Sequence, residues 1–544
     1  MWLEEAEESS GFVFVHDHGG RGERHMMETM GSGVAIVDVD GDGWMDVYFV
    51  QSGPVPWNIS AEDPHRPNVL LRNRGDGTFD NVTEASGAGD TGYGMGVCAG
   101  DVDNDADVDL FVTNFGPDVL LRNRGDGTFD DVSEAAGVDD PLWSVGCAFA
   151  DIDLDGDLDL FVVRYVNFSE QNQIRCTIGD QVGYCHPDVY HGVPDLLYRN
   201  RGDGTFEDIT ETAGIGVDDP EESKGLGVLW LDADDDGLPD AYVANDSTRN
   251  FLWRNRGDGT FEDIAIGAGA AFNNRGQTEA GMGVAAADFD GDGLEDLVVT
   301  HLDYETNTLY RRSGEAAFDD LTDAAGLGGP SILHVGFGAV FFDFELDGDP
   351  DLFVANGHII DNVSLEAPHL SYPQQDQLFE NRLVGEQGDS STGRFVDISE
   401  RAGPYFARKL VGRGVARGDL DNDGDEDLVI SNSNEPAVLL WNRAGDSGRS
   451  LQLRLLDAHG RDAVGAVARL EASAPDGTRR LLVGTVRAGA SYASQHDPRL
   501  VFGLGDATLE SLTITWPGGG AESIAAERLG LDVDQGTIVL RQPS

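Results

Sequence analysis

Lysine is nearly missing from this 544-residue chain: Lys224 and Lys409 are the only two. Against 36 Lys and Arg stand 99 Asp and Glu, for a formal net charge of −63. Such a surface repels phosphate backbones and anionic headgroups, which excludes nucleic acid and acidic membrane surfaces as partners. It suits a saline environment or a calcium-rich extracellular one equally well. No run of about twenty apolar residues occurs, so the sequence predicts no membrane span. The opening MWLEEAEESSG has neither a basic n-region nor an apolar h-region. Either a leader has been removed or this chain is not exported by that route. No G-x-S-x-G, phosphate loop or HExxH spacing appears, so no enzyme is expected. His16, His18, His186, His191, His301, His334 and His358 are scattered, which fits surface or packing roles.

Cysteine is also scarce, at four residues. Cys176 and Cys185 lie too far apart for a C-x-x-C half-site and are expected to close a short disulfide loop. That bridge would favour an oxidising compartment. Cys98 and Cys147 are expected to be ordinary buried residues.

What the chain has in quantity is repetition. A nine-residue loop, Asp-x-Asp-x-Asp-Gly-x-x-Asp, starts at Asp38, Asp101, Asp151, Asp232, Asp288, Asp343 and Asp419. Its positions 1, 3, 5 and 9 bring oxygen donors to one centre. They are Asp38, Asp40, Asp42 and Asp46; Asp101, Asp103, Asp105 and Asp109; Asp151, Asp153, Asp155 and Asp159; and Asp232, Asp234, Asp236 and Asp240. The series continues with Asp288, Asp290, Asp292 and Asp296; Asp343, Glu345, Asp347 and Asp351; and Asp419, Asp421, Asp423 and Asp427. With the position-7 carbonyl added, this hard, all-oxygen set suits calcium, up to seven ions in a structural role. An EF-hand is excluded, because position 12 is Phe49, Val112, Val162, Val243, Val299, Val354 or Ile430 rather than Glu. Ala106 at position 6 and Glu345 at position 3 mark the second and sixth loops as the weaker sites.

Each repeat opens with a small-residue and apolar run, such as GMGVCAGD (94–101). The acidic loop follows, then an apolar segment, then a hairpin such as LLRNRGDGTFDNVTEA (70–85). The segments are short, β-branched or aromatic, and bounded by Gly, Asp and Asn, so they predict strands. Four strands repeated seven times predict a seven-bladed β-propeller over 1–445. The seventh repeat stops after three strands at LLWNR (439–443), so the N-terminal segment around Trp2-Leu3 or Phe12–Val15 is expected to complete it. The repeated Arg-Gly-Asp tripeptides, as at Arg74-Gly75-Asp76, read as turn chemistry.

After Arg443 the pattern changes to alternating strands, which predicts a small separate all-β, sandwich-like domain over 446–544. There RAGASYASQHDPRLVFGLG (487–505) and LTITWPGG (512–519) resemble the ASPIC/UnbV domain. Together with FVFVHDHG, the two-Cys insertion, ANGHIID (355–361) and YPQQDQLFEN (372–381), the chain resembles FG-GAP/VCBS repeat proteins of the cartilage acidic protein-like family. The resemblance implies integrin-α-like calcium blades in a secreted or periplasmic protein that recognises or adheres to a protein or carbohydrate ligand. It also implies an alternative, an accessory or enzyme of enediyne-type natural-product biosynthesis with a site at the propeller mouth. The insertion at 164–196 and the 357–378 loop are the expected binding elements, since long loops on a rigid scaffold carry function.

Overall fold

The computed structural model describes residues 3–60, 62–216, 222–382, 394–444, 448–526 and 537–543. Each acidic loop joins two antiparallel strands. In the first repeat Val34–Val37 pairs with Asp46–Phe49, then Val69–Asn73, then Phe79–Asn81. Val47, Tyr48 and Phe49 are all buried. Successive side chains point to opposite faces, so both faces of this strand are covered. Seven such four-stranded sheets follow one another along the chain. The first strand of each touches the first strands of its two neighbours. The circuit is completed where Gly412–Gly418 of the seventh sheet meets Val34–Val37 of the first. The architecture is all-β and propeller-like, with apolar clusters shared between adjacent sheets.

Close approach at the axis depends on glycine. A Cβ on Gly283 would overlap the Phe337 carbonyl of the next sheet, and one on Gly414 would lie 2.6 Å from the Ser32 carbonyl. Gly414 donates its own N–H to Ser32 O at 3.1 Å, which ties the seventh sheet to the first.

The seventh sheet takes its fourth strand from the other end of the chain. Leu3–Glu5 pairs antiparallel with Val438–Asn442. Phe12 and Phe14 pack on Phe49, and Val15 bridges Pro436. Both expected N-terminal segments therefore take part, one as strand and one as packing; Trp2 lies outside the described residues. The insertion of the sixth repeat falls largely on 383–393, also outside them.

Cys176 and Cys185 form the expected disulfide. The reading of Cys98 and Cys147 is corrected: they form a second disulfide, with Cα atoms 5.8 Å apart. They lie 49 residues apart in sequence, but the touching first strands of the second and third sheets set them face to face.

Strands within 450–525 and 538–541 form two further sheets around a shared core of Leu453, Leu470, Phe502, Leu512, Ile514 and Trp516. From this unit the segment 487–499 enters the axis of the ring. Gln495 N–H donates to Val34 O at 2.9 Å in the first sheet, and Val97 N–H of the second donates to Ala493 O at 3.1 Å. Phe149 N–H of the third donates to Ala488 O at 2.7 Å, and Arg487 donates to Trp230 O of the fourth at 3.3 Å. Ser491 exchanges backbone hydrogen bonds with Val284 of the fifth and accepts from Ala339 N–H of the sixth at 3.1 Å. Asp497 N–H donates to Arg417 O of the seventh at 3.0 Å. One thirteen-residue stretch thus bonds to the first strand of every sheet. Among the described residues no helix is long and apolar enough to cross a membrane.

Candidate functional site

The acidic loops share one internal wiring. In the first, Asp38 accepts from the N–H groups of Asp42 and Gly43 at 3.1 and 3.0 Å. Asp42 accepts from Trp44 N–H at 2.9 Å. Asp46 accepts from Val39 N–H at 3.2 Å and from Asn73 N–H at 2.8 Å. The position-1 pattern recurs at Asp101, Asp151, Asp232, Asp288, Asp343 and Asp419. The position-9 pattern recurs at Asp109, Asp159, Asp240, Asp296, Asp351 and Asp427.

Backbone amides therefore hold positions 1, 5 and 9, whereas position 3 is less well satisfied, with Asp290 accepting from Asp292 N–H at 3.3 Å. Asp40, Asp103, Asp234, Glu345 and Asp421 each keep one buried carboxylate oxygen with no hydrogen-bond partner. An orphaned buried oxygen is costly unless something binds it. Ligand atoms of Asp38, Asp40 and Asp42 lie within 4.8 Å of one another, and so do those of Asp232, Asp234 and Asp236. At Asp101, Asp103 and Asp109, at Asp151, Asp153 and Asp159, and at Asp288, Asp290 and Asp296 it is position 9 that converges with 1 and 3. Burial, reinforced by the neighbouring carboxylates, pushes Asp46, Asp109, Asp159 and Asp296 up to about 8 and Asp240 to about 7. Oxygen-only donors, an orphaned oxygen aimed inward and unfavourable ionisation in the absence of a countercharge all fit a hard divalent cation.

Two loop positions carry left-handed backbone. At position 6 Gly43 has φ +88° and Ala106, the substituted residue, takes φ +73°. Position 4 is left-handed as well, and there Leu154 and Leu346 both adopt φ +60°. In four loops an arginine in or just after the third strand lies against the position-3 carboxylate: Arg72 on Asp40, Arg122 on Asp103, Arg311 on Asp290 and Arg443 on Asp421.

An asparagine that the sequence reading absorbed into the turn Asn-Arg-Gly-Asp-Gly-Thr-Phe proves to connect loops. Asn73 Nδ2 donates to Met45 O of its own loop at 3.1 Å and to Leu420 O of the preceding sheet's loop at 2.8 Å. Asn123, Asn200, Asn255, Asn381 and Asn442 reach back to Val39, Val102, Ile152, Phe289 and Phe344 in the same way. In the fifth sheet Arg312 takes over, donating to Asp232 O at 3.0 Å. Only recurrence at a fixed place in the repeat could have signalled this role. The tripeptide beside it is turn chemistry: Asp76 Oδ1 accepts from Thr78 N–H at 3.1 Å, and Asp126, Asp203 and Asp258 repeat the contact.

At the other end of the axis the two long loops meet. The disulfide hairpin, Cys176–Ile178 with Gln181–Gly183, sets Tyr184 to donate to Glu28 Oε2 at 3.0 Å. Asn362 donates to Val182 O at 3.3 Å, and Arg24 forms a bidentate pair with Asp361 at 2.8 and 3.0 Å. Below them Arg413 is fully buried, bonded to the carbonyls of Thr29, Gly357, Gly412 and His358, and 3.9 Å from the Phe337 ring centroid. Burial pushes Glu28 up to about 7 and lowers His16 and His18. The remaining histidines are dispersed: His301 bonds Thr306 O at 2.7 Å and His358 pairs with Asp303 at 3.2 Å.

The FG-GAP-like repeat family matches residues 38–112, 101–162, 232–299 and 288–354. The ASPIC and UnbV family matches residues 457–536. Human cartilage acidic protein 1 is 26% identical over 334 residues, covering 60% of this chain and 45% of that protein. Its Xenopus tropicalis counterpart is 27% identical over 287 residues, covering 52% and 40%. The chain spans less than half the length of either relative. Among solved structures, PorZ, a surface component of the type-IX secretion system of Porphyromonas gingivalis, is 11% identical with a TM-score of 0.42, covering 90% of this chain and 58% of that one.

Proposed function

We propose that this chain, an FG-GAP-like repeat protein with a C-terminal ASPIC and UnbV domain, is a calcium-stabilised seven-bladed propeller that recognises a protein or carbohydrate ligand and catalyses no reaction. Residues 1–445 would form the propeller and 446–544 the second domain. Calcium would be held by positions 1, 3, 5 and 9 of each loop, neutralising carboxylates that burial otherwise disfavours as anions. Two disulfides and the similarity to cartilage acidic protein support an extracellular or periplasmic location.

The observation that carries the binding reading is the meeting of the 164–196 insertion, the 357–378 loop and the 16–30 segment over one mouth of the ring. The opposite mouth receives segment 487–499. A rigid scaffold that gathers two long, non-repeating loops at one end is built for recognition there. The test is ligand capture on glycan arrays and on immobilised extracellular matrix proteins, with the intact chain and with Tyr184→Ala plus Asp361→Ala. Binding lost in the double variant, at unchanged melting temperature, supports the assignment. A ligand retained by that variant but lost on disturbing the loop face would reverse it.

A further inference from the structure

The second unit does not touch the seven acidic loops equally. It grips those of the sixth and seventh sheets by their backbone and ligand atoms. Gln452 Nε2 donates to Asp419 Oδ2 at 2.8 Å, the oxygen that also accepts from Gly424 N–H at 3.1 Å. Arg499 donates to Asp419 O at 2.5 Å and to Asn422 Oδ1 at 2.6 Å. Ser450 donates to Gly424 O at 2.5 Å. In the sixth loop Gly505 N–H donates to Leu346 O at 2.9 Å and Arg480 to Asp347 O at 2.6 Å. Gly503 packs so tightly on Asp343 and Leu346 that no Cβ would fit. Among the described residues the polar contacts to the fifth loop run through the Glu295 side chain, to Thr485 at 2.9 Å and Arg487 at 2.6 Å. Among the described residues the loops of the first four sheets make no hydrogen bond to the second unit.

These contacts read the shape of a folded loop. Four of them end on oxygens at loop positions 4 to 6, where the turns set their places, and a fifth ends on the Asp419 carbonyl at position 1. Arg499 and Gln452 are buried, so a loop that changed shape would leave Arg499 Nη1 and Gln452 Nε2 without their acceptors, a cost borne at the interface. The orphaned Glu345 and Asp421 oxygens lie in these same two loops. An ion that orders the sixth and seventh loops would therefore also order the docking surface.

We propose that docking of the C-terminal unit, and with it the seating of segment 487–499 in the axis, is coupled to cation binding at the sixth and seventh loops and is independent of the first four. The inference rests on the calcium reading of the loops. Coupling is reciprocal: whatever the ions add to docking, docking adds to the affinity of those two sites.

The test uses the full chain and calcium as the probe. Glu345→Gln, Asp421→Asn and, as the control, Asp234→Asn each remove a position-3 charge. Bound calcium is counted by elemental analysis, and amide exchange is followed by mass spectrometry in peptides covering 487–499. Glu345→Gln and Asp421→Asn are expected to speed exchange there by about tenfold or more, a sub-global opening, while Asp234→Asn leaves it unchanged. Each variant should lose calcium. Gln452→Ala, which keeps every loop carboxylate, should weaken two of the sites about threefold or more in a calcium titration. Loss of calcium with no change in exchange, equal opening in Asp234→Asn, or an unaltered isotherm for Gln452→Ala would overturn the coupling while leaving the calcium reading intact. A wild type that binds no calcium would overturn both.

Discussion

Asn73 in the first sheet donates from its side-chain amide to the carbonyl of Leu420, 347 residues away, at 2.8 Å. This bond ties the first sheet's hairpin to the seventh sheet's acidic loop, and its counterparts tie each sheet to the one before. Asn73 also bonds Met45 O, Asp46 and Gly75, so all its polar groups are engaged in a buried setting. Asn73→Ala would leave two buried carbonyls unsatisfied, a loss of about 2–4 kcal/mol. Chemical denaturation of that variant beside Asn81→Ala, at an exposed site, checks it. Equal midpoints would contradict the latch.

The two disulfides should differ in what they stabilise. Cys98–Cys147 closes a separation of 49 residues and Cys176–Cys185 one of 9. On the chain-entropy estimate these are worth about 4 and about 2.6 kcal/mol. The first joins two sheets, so Cys98→Ala with Cys147→Ala lowers the melting temperature of the whole chain. The second lies within the insertion, so Cys176→Ala with Cys185→Ala chiefly weakens ligand capture. Scanning calorimetry and a binding assay on both pairs separate the two roles.

Three carboxyls outside the acidic loops, Glu28, Asp195 and Asp376, are pushed up by burial to about 7. A folded-state value above the unfolded one means that the neutral form is favoured in the fold. Stability from such a group is complete below about pH 4 and is lost as pH rises through about 7. Glu28→Gln cannot titrate, so its stability relative to wild type should improve between pH 5 and 8, by up to about 3 kcal/mol. Urea unfolding at the two pH values with calcium held constant gives the difference. A wild type that gains stability relative to Glu28→Gln as pH rises would contradict the burial argument.

Much of the fold was legible because the repeat states it seven times. The position-6 glycine and its one lapse, Ala106, could be read directly. Position 4 could not, because Leu154 and Leu346 accept left-handed backbone without advertising it. Cys98 and Cys147 looked inert because only ring packing brings distant first strands together. The latch asparagines were hidden inside turn chemistry that explained them locally. Segment 487–499 was visible as a family signature, but its hydrogen bonds to all seven sheets depend on three-dimensional closure that no local pattern encodes. At the candidate site, the two long loops were recognisable by length; that they meet through Asn362 and Val182 was not.

If the seven loops are cation staples, as proposed, calcium should be countable by elemental analysis on the intact chain and should matter to thermal unfolding before and after chelation. Close to seven calcium ions per chain are expected, fewer if the second or sixth loop is weak. Each saturated site would add about 1.5–2 kcal/mol, so chelation should lower the melting temperature steeply. A chain that holds no calcium and melts at the same temperature with and without chelator would contradict it.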